Sequence, residues 1–348
     1  MKKLKRHPDN GRRFCENDDE KGLYGRFSPF FIDSYKIAQS KSLRRLESKT
    51  QVYTVPDNPH IRTRLTHTNE VVWISKLIAM RLGLNEYLCE AVALGHDIGH
   101  TPYGHPGEAL LAKIRPGFRH EKNSIVVLEL VERAGKGTNI CVETAGGILY
   151  HSRGSGRLDV SEKVPQEWNV VMLADKLAYV FSDINDSERL GYLKKLPYEA
   201  VALGCCQRER VDNCINALVN ESLEKGYVAF SDSKEAKLFA RLKDFMYDKV
   251  YGKIDGRLKT ITLEAIYEII EKTFKEFDPV LLTSLLTDSE VTALAEKLLD
   301  NPLDKRKIFL NHSITGLADI LEGLEEIPII NYECIDANWI MKKCKNKL

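Results

Sequence analysis

Six of the nine histidines in this chain fall between positions 60 and 120: His60, His67, His96, His100, His105 and His120. Solvent-facing histidines would be scattered, so the clustering points to a site. Near neutral pH an imidazole either ligates a metal through a bare ring nitrogen or moves a proton. Asp175 poses the complementary question. Its neighbours Val171, Met172, Leu173, Leu177, Ala178, Tyr179, Val180 and Phe181 make a helix apolar nearly all round, which should therefore be buried. A buried carboxylate is costly unless it pairs with a cation or binds a metal. An ion pair with an arginine would satisfy Asp175 as well as a metal would.

His96 and Asp97 close an apolar stretch just before Gly99. Adjacent helical residues point about 100° apart, so both reach one ion only if it lies between their directions. His67, in RLTHTNE, stands at a helix start. With Asp175 these make a mixed imidazole–carboxylate donor set from different helices. It suits a hard-to-borderline divalent metal such as Mn, Fe, Mg or Zn. Asp175, Tyr179 and Asp183 also share one helical stripe.

The elements that must position these residues are helical in period almost throughout. Helices are expected over 29–45, 66–82, 86–98, 107–114, 122–133, 141–151 and 165–187, then 210–225, 234–250, 261–276, 290–300 and 303–323. In the second of these, Val71, Trp73, Ile74, Leu77 and Ile78 form a broad apolar face. Only QVYTV at 51–55 and IPIINYE at 327–333 look like strands, and Gly154–Gly156 marks a break. The fold class is all-α with at most a minor β element. The expected organisation is a basic segment over 1–25, a catalytic core over 26–200 and a helical region over 201–348 that packs on the core.

The pattern His67, His96–Asp97, Asp175 resembles the signature of the HD superfamily of metal-dependent phosphohydrolases. RRLESKTQVY (44–53), RTRLTHTNEV (62–71), LGHDIGHTPYGHPGEALL (94–111) and DKLAYVFSDIND (175–186), in that order, resemble the dGTPase branch, the deoxynucleoside triphosphate triphosphohydrolases. The resemblance spans roughly residues 26 to 190, with a weaker echo at 314–321. It implies a helical HD core that cleaves a dNTP at the α-phosphate to a deoxynucleoside and tripolyphosphate. It implies metal ligation by His67, His96, Asp97 and Asp175, and a catalytic pair in His105 and Glu108. It implies substrate contacts from Gln51, Arg64, His120, Tyr179 and Asp183. A homo-oligomer, often a hexamer, and DNA or RNA binding are further implications. Two departures stand out: Lys176 follows the last ligand where an acidic residue is common, and Gly316, Leu317, Ala318 and Asp319 replace a GMTD-like block.

Other residues have plainer readings. His100 would cap the turn after Gly99, His120 could lie at the surface, His151 would be structural or a phosphate neighbour, and His60 would be loop. The 348 residues carry 51 Lys and Arg against 50 Asp and Glu, a net charge of +1. That excludes a strongly basic protein, although residues 1–50 alone carry +6. That segment and the tail KKCKNK (342–347) could meet phosphate backbones. No run of 18 apolar residues exists, so no membrane span is expected. The start lacks an apolar signal core, and a cytoplasmic location is expected. Eight cysteines without a C-x-x-C pair read as free buried thiols, not a zinc–thiolate site. Two rival functions follow from the same residues: an HD nucleotidase or phosphodiesterase, and a nucleic-acid-binding sensor with a vestigial metal site.

Overall fold

Among the described residues the chain forms sixteen α-helices. They are α1 (Pro29–Ala38), α2 (Lys41–Arg45), α3 (Arg64–Leu82), α4 (Glu86–Gly95), α5 (His105–Ile114), α6 (His120–Val126), α7 (Val142–His151) and α8 (Gln166–Arg189). There follow α9 (Tyr198–Leu203), α10 (Gln207–Lys225), α11 (Lys234–Lys249), α12 (Arg257–Thr273), α13 (Pro279–Leu285), α14 (Asp288–Asp300), α15 (Lys305–Phe309) and α16 (Leu317–Leu321). This computed structural model describes residues 2–12, 22–23, 26–53, 58, 60–152, 158–253, 256–300, 304–336 and 338–339. The break at Gly154–Gly156, Cys15, Cys344 and the basic tail lie outside them.

The long helix α8 is the axis of the core and packs against α3, α4, α7, α10 and α11. Val170, Val171, Met172, Leu173, Leu177 and Phe181 are all buried, so the helix is enclosed as its composition requires. The helices α3 and α4 pack on one another and both touch α8, which brings the ends carrying His67 and His96 to Asp175. From the later part of the chain, α10 and α11 pack on α8, and α12 packs on α5.

Several expectations are corrected. The single helix over 29–45 is two, because Ser40 restarts the chain by accepting the Leu43 backbone N–H at 3.1 Å. The stretch 303–323 splits into α15 and α16, since Asn311 and Thr315 turn the chain between them. The helices α9 and α13 are too short to show as periodic signals. Neither strand-like run forms a strand among the described residues, where only the isolated bridges Thr50–Thr63 and Phe277–Ile327 occur. The apolar face of α3 divides: Val71 and Ile78 are buried, whereas Trp73 and Leu77 are exposed. Residues 2–12 are docked on the core. Leu4 is buried, the His7 backbone N–H donates to Glu167 at 2.8 Å, and Arg12 pairs with Glu143 at 2.9 Å. No helix among the described residues is long and apolar enough to cross a membrane.

Candidate metal centre and cavity

Two helix termini and one mid-helix position build the centre. His67 lies in the first turn of α3, behind Thr63, whose hydroxyl accepts the Thr66 N–H at 3.2 Å. His96 and Asp97 follow α4 in a tight turn that α6 clamps. Ser124 Oγ accepts the Gly99 N–H at 2.9 Å and donates to the His96 carbonyl at 2.9 Å. A Cβ at Gly99 would lie 2.1 Å from the Ser124 nitrogen, so only glycine permits this approach. Asp175 comes from the middle of α8.

The donor atoms converge. His67 Nε2 is 3.1 Å from Asp175 Oδ1 and 3.9 Å from Asp97 Oδ2. His96 Nε2 is 3.4 Å from Asp97 Oδ1 and 3.8 Å from Asp175 Oδ1. His96 Nδ1 lies 2.7 Å from the Ala93 carbonyl, which fixes the proton there and leaves Nε2 as a bare lone pair. That buried Nε2 has no hydrogen-bond partner, and neither has His67 Nδ1. The orphaned His96 Nε2, which faces carboxylate oxygens of Asp97 and Asp175, is what a divalent cation would satisfy, so the donor set fits one. Burial opposes the charge on Asp175, but the His67 hydrogen bond holds its carboxyl well below the usual range. For Asp97 burial is likewise outweighed, here by His96, His100 and Arg64. The arginine in the centre pairs with Asp97: Arg64 Nη1 is 2.7 Å from Asp97 Oδ2.

A second cluster adjoins the first. Glu108 uses each carboxylate oxygen for a different histidine. Its Oε1 accepts from the His120 backbone N–H at 2.8 Å and from His120 Nδ1 at 2.9 Å, while Oε2 lies 3.4 Å from His105 Nδ1. Gly104, at φ 61°, permits the turn that starts α5 at His105. His105 is exposed, whereas His120 is buried, so the surface reading of His120 is corrected. His120 Nε2 meets His151 Nε2 at 3.2 Å, and His151 Nδ1 donates to the Ile148 carbonyl at 2.6 Å. His151 can then only accept, so His120 donates from both nitrogens and is an imidazolium. Burial opposes that charge, but Glu108 raises the His120 pKa to about 9, while burial lowers that of His151 to about 3. His100 does not simply cap a turn. It is buried, stacks on His120 at 4.0 Å between ring centroids and sits 3.4 Å from Asp97 Oδ1.

This geometry makes a pH prediction for stability. His120 titrates near its ordinary 6.5 when unfolded and near 9 when folded. A raised folded pKa stabilises fully below the unfolded value and is lost as pH rises through the folded one. Urea-unfolding midpoints measured with chelator should therefore fall between pH 6.5 and 9.5 in the parent protein, and fall less in His120→Gln. Equal slopes would remove the charge from His120.

Both clusters open on one cavity of about 590 Å³, within the range of small-molecule sites. Arg64, Asp97, His105, Glu108, His120 and Asp175 line it, as do Gln51, Tyr179 and Asp183. His67 and His96 are fully buried behind that wall. Residues 64–180 match the HD domain family. Among curated proteins, the chain is 42% identical over 249 residues to a deoxyguanosinetriphosphate triphosphohydrolase-like protein of Clostridium tetani, covering 69% of this chain and 70% of that one. A protein of the same description from Caldanaerobacter subterraneus is 40% identical over 260 residues, covering 71% and 75%. Another, from Leptospira interrogans, is 31% identical over 298 residues, covering 71% and 77%.

The chain belongs to the deoxyguanosinetriphosphate triphosphohydrolase-like family. It is an HD-domain enzyme of that family. The HD match takes in both histidine clusters and ends before Asp183. Beyond it, α11 and the turn after it add two cavity residues that sequence reasoning missed. Tyr247 OH is 3.3 Å from Tyr179 OH, and Tyr251 OH donates to Asp183 Oδ2 at 2.7 Å. Lys176, Lys259 and His151 also line the cavity. The tyrosines stand 68 residues from their partners, with no local motif to signal them.

Proposed function

We propose that this family member is a metal-dependent nucleotide hydrolase that cleaves a dNTP at the α-phosphate, with dGTP the first candidate. The observation that carries the reading is the mixed lining of one cavity. Arg64, Lys176 and Lys259 line it together with the carboxylates and imidazoles, and Tyr179, Tyr247, Tyr251 and Asp183 are also in its wall. A polyanion needs charge neutralisation before water can attack, and a sugar and base need flat apolar walls with a few polar anchors. The names of the relatives point to the same substrate.

In the proposed reaction, water adds to the α-phosphorus, and the bond to the 5′ oxygen breaks. The bonding pair goes to that oxygen, which takes a proton, and tripolyphosphate leaves with the deoxynucleoside. His105 is the proposed proton donor. Its Nδ1 faces Glu108, which leaves Nε2 for the leaving oxygen. Arg64 grips phosphate oxygens in a forked geometry. His67, His96, Asp97 and Asp175 would hold a divalent cation, which when bound supplies Lewis-acid polarisation of a phosphoryl oxygen. The test is product analysis: purified protein is incubated with each dNTP and Mn or Mg, and the products are separated by ion exchange. Tripolyphosphate is expected, and orthophosphate would favour the nucleotidase reading.

Tyr179 is proposed to exclude ribose. One helical turn is about 5.4 Å, which sets Tyr179 beyond Asp175 along α8, where a sugar follows its phosphate. A ring against C2′ leaves no room for a hydroxyl, and a rigid wall discriminates by penalising the wrong substrate. Tyr179→Ala should lower the ratio of kcat/KM for dGTP over GTP more than it lowers metal affinity. An unchanged ratio would mean that the sugar is read elsewhere.

A further inference from the structure

The expectation of uniformly buried thiols fails at two places. Among the described cysteines, Cys89, Cys141 and Cys214 are buried, but Cys205, Cys206 and Cys334 are exposed. Cys205 and Cys206 are adjacent, in the turn between α9 and α10, and Glu209 lies in the first turn of α10. Their two sulfurs and a carboxylate oxygen all lie within 4.8 Å of one another. None of the three lines the cavity. We propose that Cys205, Cys206 and Glu209 form a second metal site, for a thiophilic divalent cation of the zinc class.

The turn is built to hold these donors in place. The Cys205 backbone N–H donates to Glu209 Oε2 at 2.8 Å, which fixes the carboxylate beside the thiols. A Cβ on Gly204 would lie 2.7 Å from Glu209 Cβ and 2.9 Å from the Arg210 nitrogen, so a glycine is what lets the two segments close. Buried Arg210 ties the turn from beneath, donating from Nε to the Ala200 and Gly204 carbonyls at 3.1 Å each. Gln207 fastens the start of α10 to α8 through Ser182 at 3.1 Å and Asn185 at 2.5 Å. Preorganised ligands lose little freedom on binding.

The donor chemistry selects the ion. Two thiolates and one carboxylate suit zinc, with solvent completing the shell, and disfavour magnesium and calcium. The candidate centre of the cavity has only nitrogen and oxygen donors, which separates the two sites spectroscopically.

The test uses cobalt(II) as the probe on the reduced full-length chain. Cobalt bound through thiolate gives an intense ultraviolet sulfur-to-metal charge-transfer band, and cobalt in the imidazole–carboxylate centre gives none. The band should appear on titration, be bleached by zinc(II), and vanish in Cys205→Ser with Cys206→Ser. Glu209→Ala should weaken the affinity by at least about tenfold, since even outer-shell partners of metal ligands cost that much. Exposed serine replacements leave the fold intact, checked by circular dichroism. Absence of the band at saturating cobalt, or its persistence in the double variant, overturns the site. Unchanged affinity in Glu209→Ala overturns the three-donor assignment.

Discussion

Asp175→Ala should lose bound metal and turnover together while the chain stays folded. The reasoning starts from what the side chain touches. Asp175 Oδ1 lies 3.1 Å from His67 Nε2 and 3.8 Å from His96 Nε2, so its removal leaves two imidazoles without the anion that gathers them. Alanine is the best helix former, and α8 is held by apolar packing on several sides, so the helix survives. Asp97→Ala also loses metal, but it costs stability as well. Its carboxylate is the 2.7 Å partner of Arg64, which is buried. Breaking a buried pair from one side typically costs about 3–5 kcal/mol. Both variants should fall in activity by more than the roughly 10–100-fold typical of losing only an outer-shell partner. Elemental analysis, with urea unfolding alongside, checks this. Metal content unchanged in both variants would mean that the four-residue assignment is wrong.

The centre was legible in sequence because its parts are locally odd. A carboxylate on an apolar helix and a His–Asp pair before a glycine each violate an ordinary pattern, and such violations gather at functional sites. His67, His96, Asp97 and Asp175 could therefore be grouped before any coordinates, and the structure adds that donor atoms of His67, His96 and Asp175 lie within 4.8 Å of one another, with Asp97 3.4 Å from His96. The all-α class was equally legible, because α3, α4, α8 and α10 carry long apolar periods. What stayed hidden depends on distant packing. Tyr247 looks like an ordinary helix residue, and Tyr251 like part of the turn after it, until α11 lies beside α8. His100 reads as a turn cap and His151 as a structural residue or a phosphate neighbour, because no local pattern shows that His120 stacks on one and donates to the other. Short helices fail for a different reason: α9, with six residues, and α13, with seven, span fewer than two turns and present no period to read.

His105→Ala should keep metal and substrate binding and lose turnover by roughly 10²–10⁴-fold, the range for a positioned acid or base. His105 is exposed at the mouth of α5, so its removal perturbs nothing in the core. Glu108 is different, because it serves two imidazoles at once. Its Oε2 faces His105 at 3.4 Å, and its Oε1 holds buried His120 at 2.9 Å. Glu108→Ala should therefore lose the turnover that depends on an oriented His105 and also destabilise the fold, by leaving the His120 imidazolium without its counterion. Glu108→Gln divides the two effects. Its amide oxygen can still accept from His120, while its NH2 group can only donate toward His105, which must then stay neutral to accept. The glutamine variant should unfold closer to the parent than the alanine variant does, yet turn over as slowly as His105→Ala. If Glu108 acts in turnover only through His105, His105→Ala with Glu108→Gln should be little slower than the worse single variant. A His105→Ala enzyme with near-parental turnover would remove His105 from the chemistry. In that case the paired role would pass to Glu108 with His120, whose charge is already fixed by the donor directions around it.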